Sequence, residues 1–402
     1  MLSSDDPVLQ AFVAASLISA PSLDDWPQWG GPAHDGASHE ANWSSKGKPT
    51  PLWKARVGLG YSSFAVQGGR VYTLGYDPEH EQDVIHCFGA DSGKELWRRA
   101  FAVEWPPHAD ELGEYPGTLT TPAVDGDFLF CSEREGWLRC LRTADGEVVW
   151  ERNARKELRL DLQPYGFAAS PMLSGERVLL NYGRMVAFDA KTGATVWRSK
   201  KDYGDAYSTP GGLVLDGKAH LAVFAGEGLA ILAEEDGHER DFFEWKARDQ
   251  VNAMTPVAFG ARVFLSSGGA RGCALVDFGG KKPKVAWESR VMRNSAAGAI
   301  AWDDHLYGFD GGALKCIDLE GKACWESECT GDALSIADGR LIFVTVDGEL
   351  VVAEASPAGY HELARKQVLD RGAFRTVPVL ADGRIYVRSQ IGDVVACDHR
   401  SD

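Results

Sequence analysis

The sequence has no extended run of lysine or arginine, and that absence weighs against nucleic acid as a partner. Its 42 basic residues are outnumbered by 58 acidic ones, for a formal net charge of −16. A surface of that sign repels phosphate backbones, while acidity as such favours solubility and says little about fold. Nor is there an apolar run long enough for a transmembrane helix. The longest, Val8 to Ala20, has 13 residues, where a helical crossing needs about 20. Its length and small residues suit a signal-peptide core, with Ala20 ahead of a candidate cleavage site. Asp5 and Asp6 stand where such signals carry basic residues, and Ile18 is bulky for its position, so a disordered arm is the competing reading. Residues 1–23 are therefore set apart from 24–402, and a periplasmic or otherwise exported location is the expectation. Cysteine occurs eight times, but never as Cys-x-x-Cys with histidine partners, so a zinc site is unsupported.

What the chain does have is repetition. An apolar strand, often opened by Thr-Pro or Ser-Pro (Thr121-Pro122, Ser170-Pro171, Thr209-Pro210, Thr255-Pro256), runs into a tight turn and a β-rich segment. The turns are Gly68-Gly69, Asp125-Gly126, Ser174-Gly175, Asp216-Gly217, Phe259-Gly260, Asp303-Asp304, Asp338-Gly339 and Asp382-Gly383. Turn residues that tolerate positive φ, flanked by β-branched and aromatic residues, mark a hairpin, and this one occurs eight times. A second hairpin closes each unit, at turns such as Asp91-Ser92-Gly93 and Lys191-Thr192-Gly193. Four residues after the closing glycine comes Trp97, Trp150, Trp197 or Trp325. Trp245 and Trp287 come later in their units, and Leu363 takes the place in the seventh.

Successive tryptophans are 53, 47, 48, 42 and 38 residues apart, the length that four short strands and their turns require. Repeats of this period indicate a propeller. The eighth unit stops about one strand short, and the segment 51–57, with Trp53, supplies a candidate for the missing strand. Closing the ring this way removes an open sheet edge. The expected fold is an all-β, eight-bladed β-propeller of four-stranded blades, the last blade closed by the N-terminal strand, with seven blades as the alternative.

In that arrangement Trp53, Trp97, Trp150, Trp197, Trp245, Trp287 and Trp325 are structural, because a large indole near the rim fills the gap between neighbouring blades. A cofactor-stacking wall is the weaker reading of the same residues. Cys87, Cys140, Cys316 and Cys397 sit at equivalent places on different blades, too far apart for disulfides, and read as small buried apolar residues. Cys324 and Cys329 are near enough in sequence to pair, but a bond between them is not expected.

The unit resembles the pyrroloquinoline-quinone (PQQ) repeat, with Val186-Ala187-Phe188-Asp189-Ala190-Lys191-Thr192-Gly193-Ala194-Thr195-Val196-Trp197 its best copy. The lead-in Asp25-Trp26-Pro27-Gln28-Trp29-Gly30-Gly31-Pro32 is similar to the opening of exported bacterial propellers of this class. The resemblance covers about residues 24–402 and implies a fold more than a function. One branch is the quinoprotein alcohol dehydrogenases, which use PQQ with calcium, an adjacent-cysteine disulfide and a tryptophan floor. This sequence has no Cys-Cys dipeptide, and no calcium ligand set maps onto it. The other branch is the non-enzymatic propeller of the outer-membrane β-barrel assembly machinery, matched in size. That protein is a lipoprotein, and the first cysteine here is Cys87, so a lipid anchor is not expected.

Long loops on a rigid scaffold often carry binding. The loop 103–117 holds Trp105, His108, Asp110, Glu111, Glu114 and Tyr115. The loop 153–166 holds Arg155, Arg159 and Tyr165. Both join an outer strand to the next inner strand, so they should emerge together, with the 77–83 loop beside them. Either they form a recognition surface or they are solvated loops with ordinary charges. His108 and Asp110 could act as an acid–base pair, but no nucleophile or metal set accompanies them. The leading expectation is a monomeric, non-catalytic scaffold with no cofactor that binds a protein, peptide or small molecule through this face. The alternative is a PQQ-dependent alcohol or sugar oxidoreductase that uses calcium.

Overall fold

Strands buried on both faces read as apolar runs, whereas a strand with one open face alternates. Both patterns recur within each unit. In the first, Arg70–Asp77 and Gln82–Gly89 are buried along their middles, while the outer strand Glu95–Ala102 alternates. The computed structural model describes residues 24–41, 43–45, 49–104, 117–247, 251–294 and 296–400. Among these it forms six four-stranded sheets and one eight-stranded sheet, antiparallel apart from one short parallel edge pairing. The four-stranded sheets span 65–102, 123–153, 172–198, 211–244 and 257–289, and a sixth joins 379–398 to the N-terminal strand Thr50–Arg56. The large sheet spans 299–367. It is two units run together by Ala323–Ala337, a 15-residue strand whose first half pairs with Ala313–Asp318 and whose second pairs with Arg340–Thr345. Inner strands of consecutive units pack side by side, as 65–67 does on 123–125. At the first turn of many units two successive residues have positive φ, as at Gly68-Gly69, Asp216-Gly217 and Asp382-Gly383, the geometry of tight hairpins.

The outer strand of every unit carries a bulge at the same place, with a second irregularity in the long strand Ala323–Ala337. Leu96, Val149 and Val196 are the extra residues in the first three, and the tryptophan that follows opposes the third strand: Trp97 faces Cys87, Trp150 faces Cys140 and Trp197 faces Ala187. The bulge explains why Leu96, Val149 and Val196 are exposed apolar residues. It also aims each indole at the next sheet. Trp53 Nε1 donates to Ala90 O at 2.8 Å, Trp97 to Thr143 O at 2.9 Å, Trp150 to Ala190 O at 2.9 Å, Trp287 to Leu319 O at 2.7 Å and Trp325 to Ser356 O at 2.7 Å. The ring then lies on the closing-turn glycine of that neighbour. A Cβ on Gly93 would stand 2.5 Å from the Trp53 ring, and one on Gly146 2.6 Å from Trp97.

Three assignments from the repeat change. Trp245 is not at the indole place. Asp241 is, and the preceding bulge residue, Arg240, reaches Phe278 O of the next sheet at 2.9 Å. Trp245 lies at the end of its strand, fully buried, with Nε1 on Ser267 Oγ. Leu363 is a bulge residue, and Ala364 faces the third strand. Trp43 from the N-terminal segment packs into that same cluster, edge-on to His399. Cys397 faces Pro51, while Ala396 faces Trp53, so Cys397 is one residue out of step with Cys87, Cys140 and Cys316. The bulge is one residue in each unit, but the closing turn before it differs in length, as between Ile317–Ala323 and Ala353–Glu362, so a count from the glycine does not fix the register.

The ring is closed twice. Thr50–Arg56 pairs with Asp393–Asp398, and wholly buried Arg388 bridges the last sheet to the first through Ser62 O, Leu74 O and Gly58 O. Burial without a carboxylate partner pulls its guanidinium down to about 9.

Trp97→Ala is expected to lower the free energy of unfolding by about 3–5 kcal/mol, the usual cost of emptying a buried aromatic site. Gly146→Ala adds left-handed strain, about 1–2 kcal/mol, to a collision with the ring. Gly217→Ala has the strain but nothing within 4 Å. Urea denaturation should therefore rank Gly146→Ala well below Gly217→Ala, and equal losses would contradict the indole contact.

Candidate functional site

The N-terminal segment runs along the inner strands of most of the sheets. Trp26 exchanges backbone hydrogen bonds with Val66, Pro27 O accepts from Val124 N, and Gln28 Oε1 accepts from Leu173 N. Trp29 Nε1 donates to Thr255 Oγ1 at 2.9 Å. Gly36 lies on Ile300, Ala37–Ser38 pairs in parallel with Ile336-Ala337, and Glu40 accepts from Gly383 N. Residues 24–41 thus reach five of the seven sheets at or beside their inner strands, and through Thr255 the residues just ahead of a sixth. Most of these contacts lie near the first hairpin turns, so the segment plugs the channel from that end.

At the opposite end the Thr-Pro and Ser-Pro pairs have a function the sequence pattern did not show. Ser63 N donates to Thr121 Oγ1, Thr121 N to Ser170 Oγ, and Ser170 N to Thr209 Oγ1, each at 2.9–3.0 Å. Each hydroxyl satisfies the backbone of the preceding unit, and the proline after it has no N–H to satisfy.

Beside this hub lies a cluster of buried charge. Glu133 Oε1 accepts from Arg139 Nε at 2.7 Å, and Arg139 also holds Glu151. The Arg139 guanidinium stands 4.0 Å from the Phe101 ring centre and 4.5 Å from that of Trp137. Arg134 donates to Gly117 O at 3.2 Å. Burial, with Glu133 adding to it, pushes the Asp83 carboxyl up to about 8. Burial also raises Glu133 against the pull of Arg139, and draws Arg134 down to about 10. Through Arg139, the cluster ties the turn 133–136 to Phe101 of the outer strand 95–102 and to Glu151 of the outer strand 148–153, the two strands from which the long loops spring. It combines the ion pairs of Arg139 with Glu133 and Glu151 with a carboxyl, Asp83, whose burial favours its neutral form.

Of the candidate residues, Trp105, His108, Asp110, Glu114 and Tyr115 lie outside the described residues. Arg155 is in a one-turn helix, α1 (Ala154–Leu158), capped by Asn153 Oδ1 accepting from Lys156 N. Its Cβ packs on Gly136, and its charge, with that of Lys156, faces Glu135. Arg159 ends the helix, exposed, at φ +56°. Tyr165 is half-buried, its ring edge-on to Tyr207 at 5.6 Å, and nearby Gln163 Oε1 accepts from Ala206 N. Val103 N donates to Glu81 O, so the 77–83 turn adjoins the start of the 103–117 loop. Asp83, Glu133, Arg134 and Arg139 escaped sequence reasoning. The only signal was a charged Glu-Arg-Glu-Gly turn, which reads equally well as solvated.

Four-stranded units packed hub to rim and latched by a recurring indole define a β-propeller of the PQQ-repeat class. A family model described as outer membrane protein assembly factor BamB matches residues 81–319. That span is more than half of the chain, and the chain belongs to this family. Outer membrane protein assembly factor BamB of Shewanella oneidensis is 22% identical over 376 residues, covering 86% of this chain and 87% of that protein. The crystal structure of BamB from Moraxella catarrhalis matches with a TM-score of 0.61 at 16% identity, over 89% of this chain and 99% of that one. Quinohemoprotein alcohol dehydrogenase from Comamonas testosteroni matches with a TM-score of 0.66 at 13% identity, over 98% and 85%. At such identities the structural likeness shows the fold alone.

Asp83 sets a pH dependence. Its carboxyl titrates near 8 in the fold and near 3.8 when exposed, so between those values the folded state holds a proton the unfolded chain has lost. Its contribution to stability is complete below about 4 and falls as pH rises towards 8. Asp83→Asn should flatten that slope and gain on the wild type at pH 8 by a few kcal/mol. Thermal melts at pH 5 and pH 8 check this, and parallel shifts in both proteins would refute it.

Proposed function

We propose that this chain is a single propeller domain over residues 24–402, eight-bladed, that works as a non-catalytic binding scaffold in outer-membrane protein assembly. The eight-blade count follows if the long strand Ala323–Ala337 serves two blades, outer in one and inner in the next. The functional class is drawn from the relatives' names. The observation that carries the choice of surface is the N-terminal segment lying across one end of the channel. It leaves the long-loop face for recognition, with Arg155, Arg159 and Tyr165 and the candidate loop residues Trp105, His108, Asp110, Glu114 and Tyr115. The partner on this reading is a protein or peptide in the periplasm, bound by a monomer without a cofactor.

The quinone-dependent alternative draws on likeness of fold. Among the described residues no three of His, Cys, Asp or Glu converge as a metal site would need, so none of them is assigned to a quinone–calcium pair. No step of that chemistry is assigned to them.

Capture from envelope extracts of the native host, read by mass spectrometry, tests the surface. Shortening the 103–117 loop, or the double change Arg155→Glu with Arg159→Glu, should reduce recovery of the partner at least tenfold while the circular dichroism spectrum is retained. An unchanged partner set in both variants would place recognition elsewhere.

A further inference from the structure

Away from the loop face, one place brings two thiols together. In the 299–367 sheet Cys316 faces Trp325 and Ile317 faces Ala323, so Cys324 is the residue that the bulge leaves over. A bulge sets two residues against one on the partner strand, so Cys316 stands opposite Cys324 and Trp325 together. Opposed residues of an antiparallel pair have Cα atoms about 4.5–5.5 Å apart, inside the span of about 4.4–6.8 Å that a disulfide bridges. The two thiols are near enough that Cys324 adds to the upward shift of the Cys316 thiol. Other units carry Leu96, Val149, Val196 or Ala286 at the bulge, so an opposed thiol pair is particular to this one. Both cysteines are free in this structure, Cys316 buried and Cys324 exposed.

We propose that Cys316 and Cys324 form a redox-active pair that closes to a disulfide across the bulge. Cys324, exposed, meets the oxidant first. Its thiolate attacks one sulfur of a low-molecular-weight disulfide such as oxidised glutathione, forming a mixed disulfide and expelling one thiolate. Cys316 then gives up its proton to water and attacks the Cys324 sulfur, expelling the second thiolate. The protein loses two protons and two electrons, and the oxidant is reduced to two thiols. Burial pushes the Cys316 thiol up to about 12, which makes the second step the slow one and speeds it as pH rises. Cys329 is engaged elsewhere, with Arg365 Nη2 at 3.6 Å from its sulfur. The bridge would pin the bulge that aims Trp325 at Ser356 O.

Alkylation under denaturing conditions tests this with the full chain. After a phosphine reductant all eight cysteines should react. After oxidised glutathione, eight minus the two in the bridge should. Trypsin cuts between the pair at Lys322, so the bridge should join the peptide that begins at Cys316 to the one that begins at Ala323. That second peptide also holds Cys329, and cleavage after Glu326 separates the two candidates. Cys324→Ser, at an exposed position, should abolish the linked peptide, while Cys329→Ser should retain it. Eight reactive thiols after oxidant, a mixed disulfide that stops at Cys324, a Cys324–Cys329 bond, or a linked peptide surviving in Cys324→Ser would each overturn the proposal.

Discussion

An indole laid on a glycine is the contact on which the ring depends. Adjacent sheets diverge from hub to rim, and the widening gap has to be filled where the apolar core thins out. Trp53, Trp97 and Trp150 each fill it, close one buried hydrogen bond to a turn carbonyl, and use the missing side chain of Gly93, Gly146 or Gly193 as a floor. The two residue types are therefore tied across units: the glycine of one unit is required by the tryptophan of the unit before it. The bulge before each tryptophan belongs to the same device, because without the extra residue the side chain would point along the alternation of its own strand.

Where the indole is missing, other residues are drawn in. Arg240 carries the donor to Phe278 O, and Trp43 brings an indole from a distant part of the chain to the cluster around Ala364. The N-terminal segment thus has three tasks. It plugs one end of the hub, adds Trp43 to that cluster, and supplies the outer strand that joins the two ends of the chain. A non-local closure of this kind makes the last sheet's stability depend on residues more than 300 positions away in sequence.

Buried charge marks the other end. Asp83, Glu133, Arg134 and Arg139 are desolvated at a cost that only mutual pairing and aromatic contact offset. Such a cluster adds little to stability but fixes geometry, and the geometry it fixes is the root of two long loops. A stiff base beside the roots of two loops is what the proposed scaffold function would use.

Fold class, repeat length, the positions of most rim tryptophans and the closing strand were legible in the sequence, because each rests on local periodicity and on turn residues that tolerate positive φ. The same reading placed Leu363 and Cys397 one step out and Trp245 four, since strand register and the length of the closing turn leave no mark in composition. It also could not see that the hydroxyls of Thr121, Ser170 and Thr209 link one unit to the next, or that Glu133 and Arg139 are buried together. The sequence by itself determined the repeating unit, a local matter of alternation and turns. The tertiary structure alone decided which end is closed, which charges are desolvated and which thiols meet, because those depend on the approach of segments that share no pattern and are brought together only when the ring shuts.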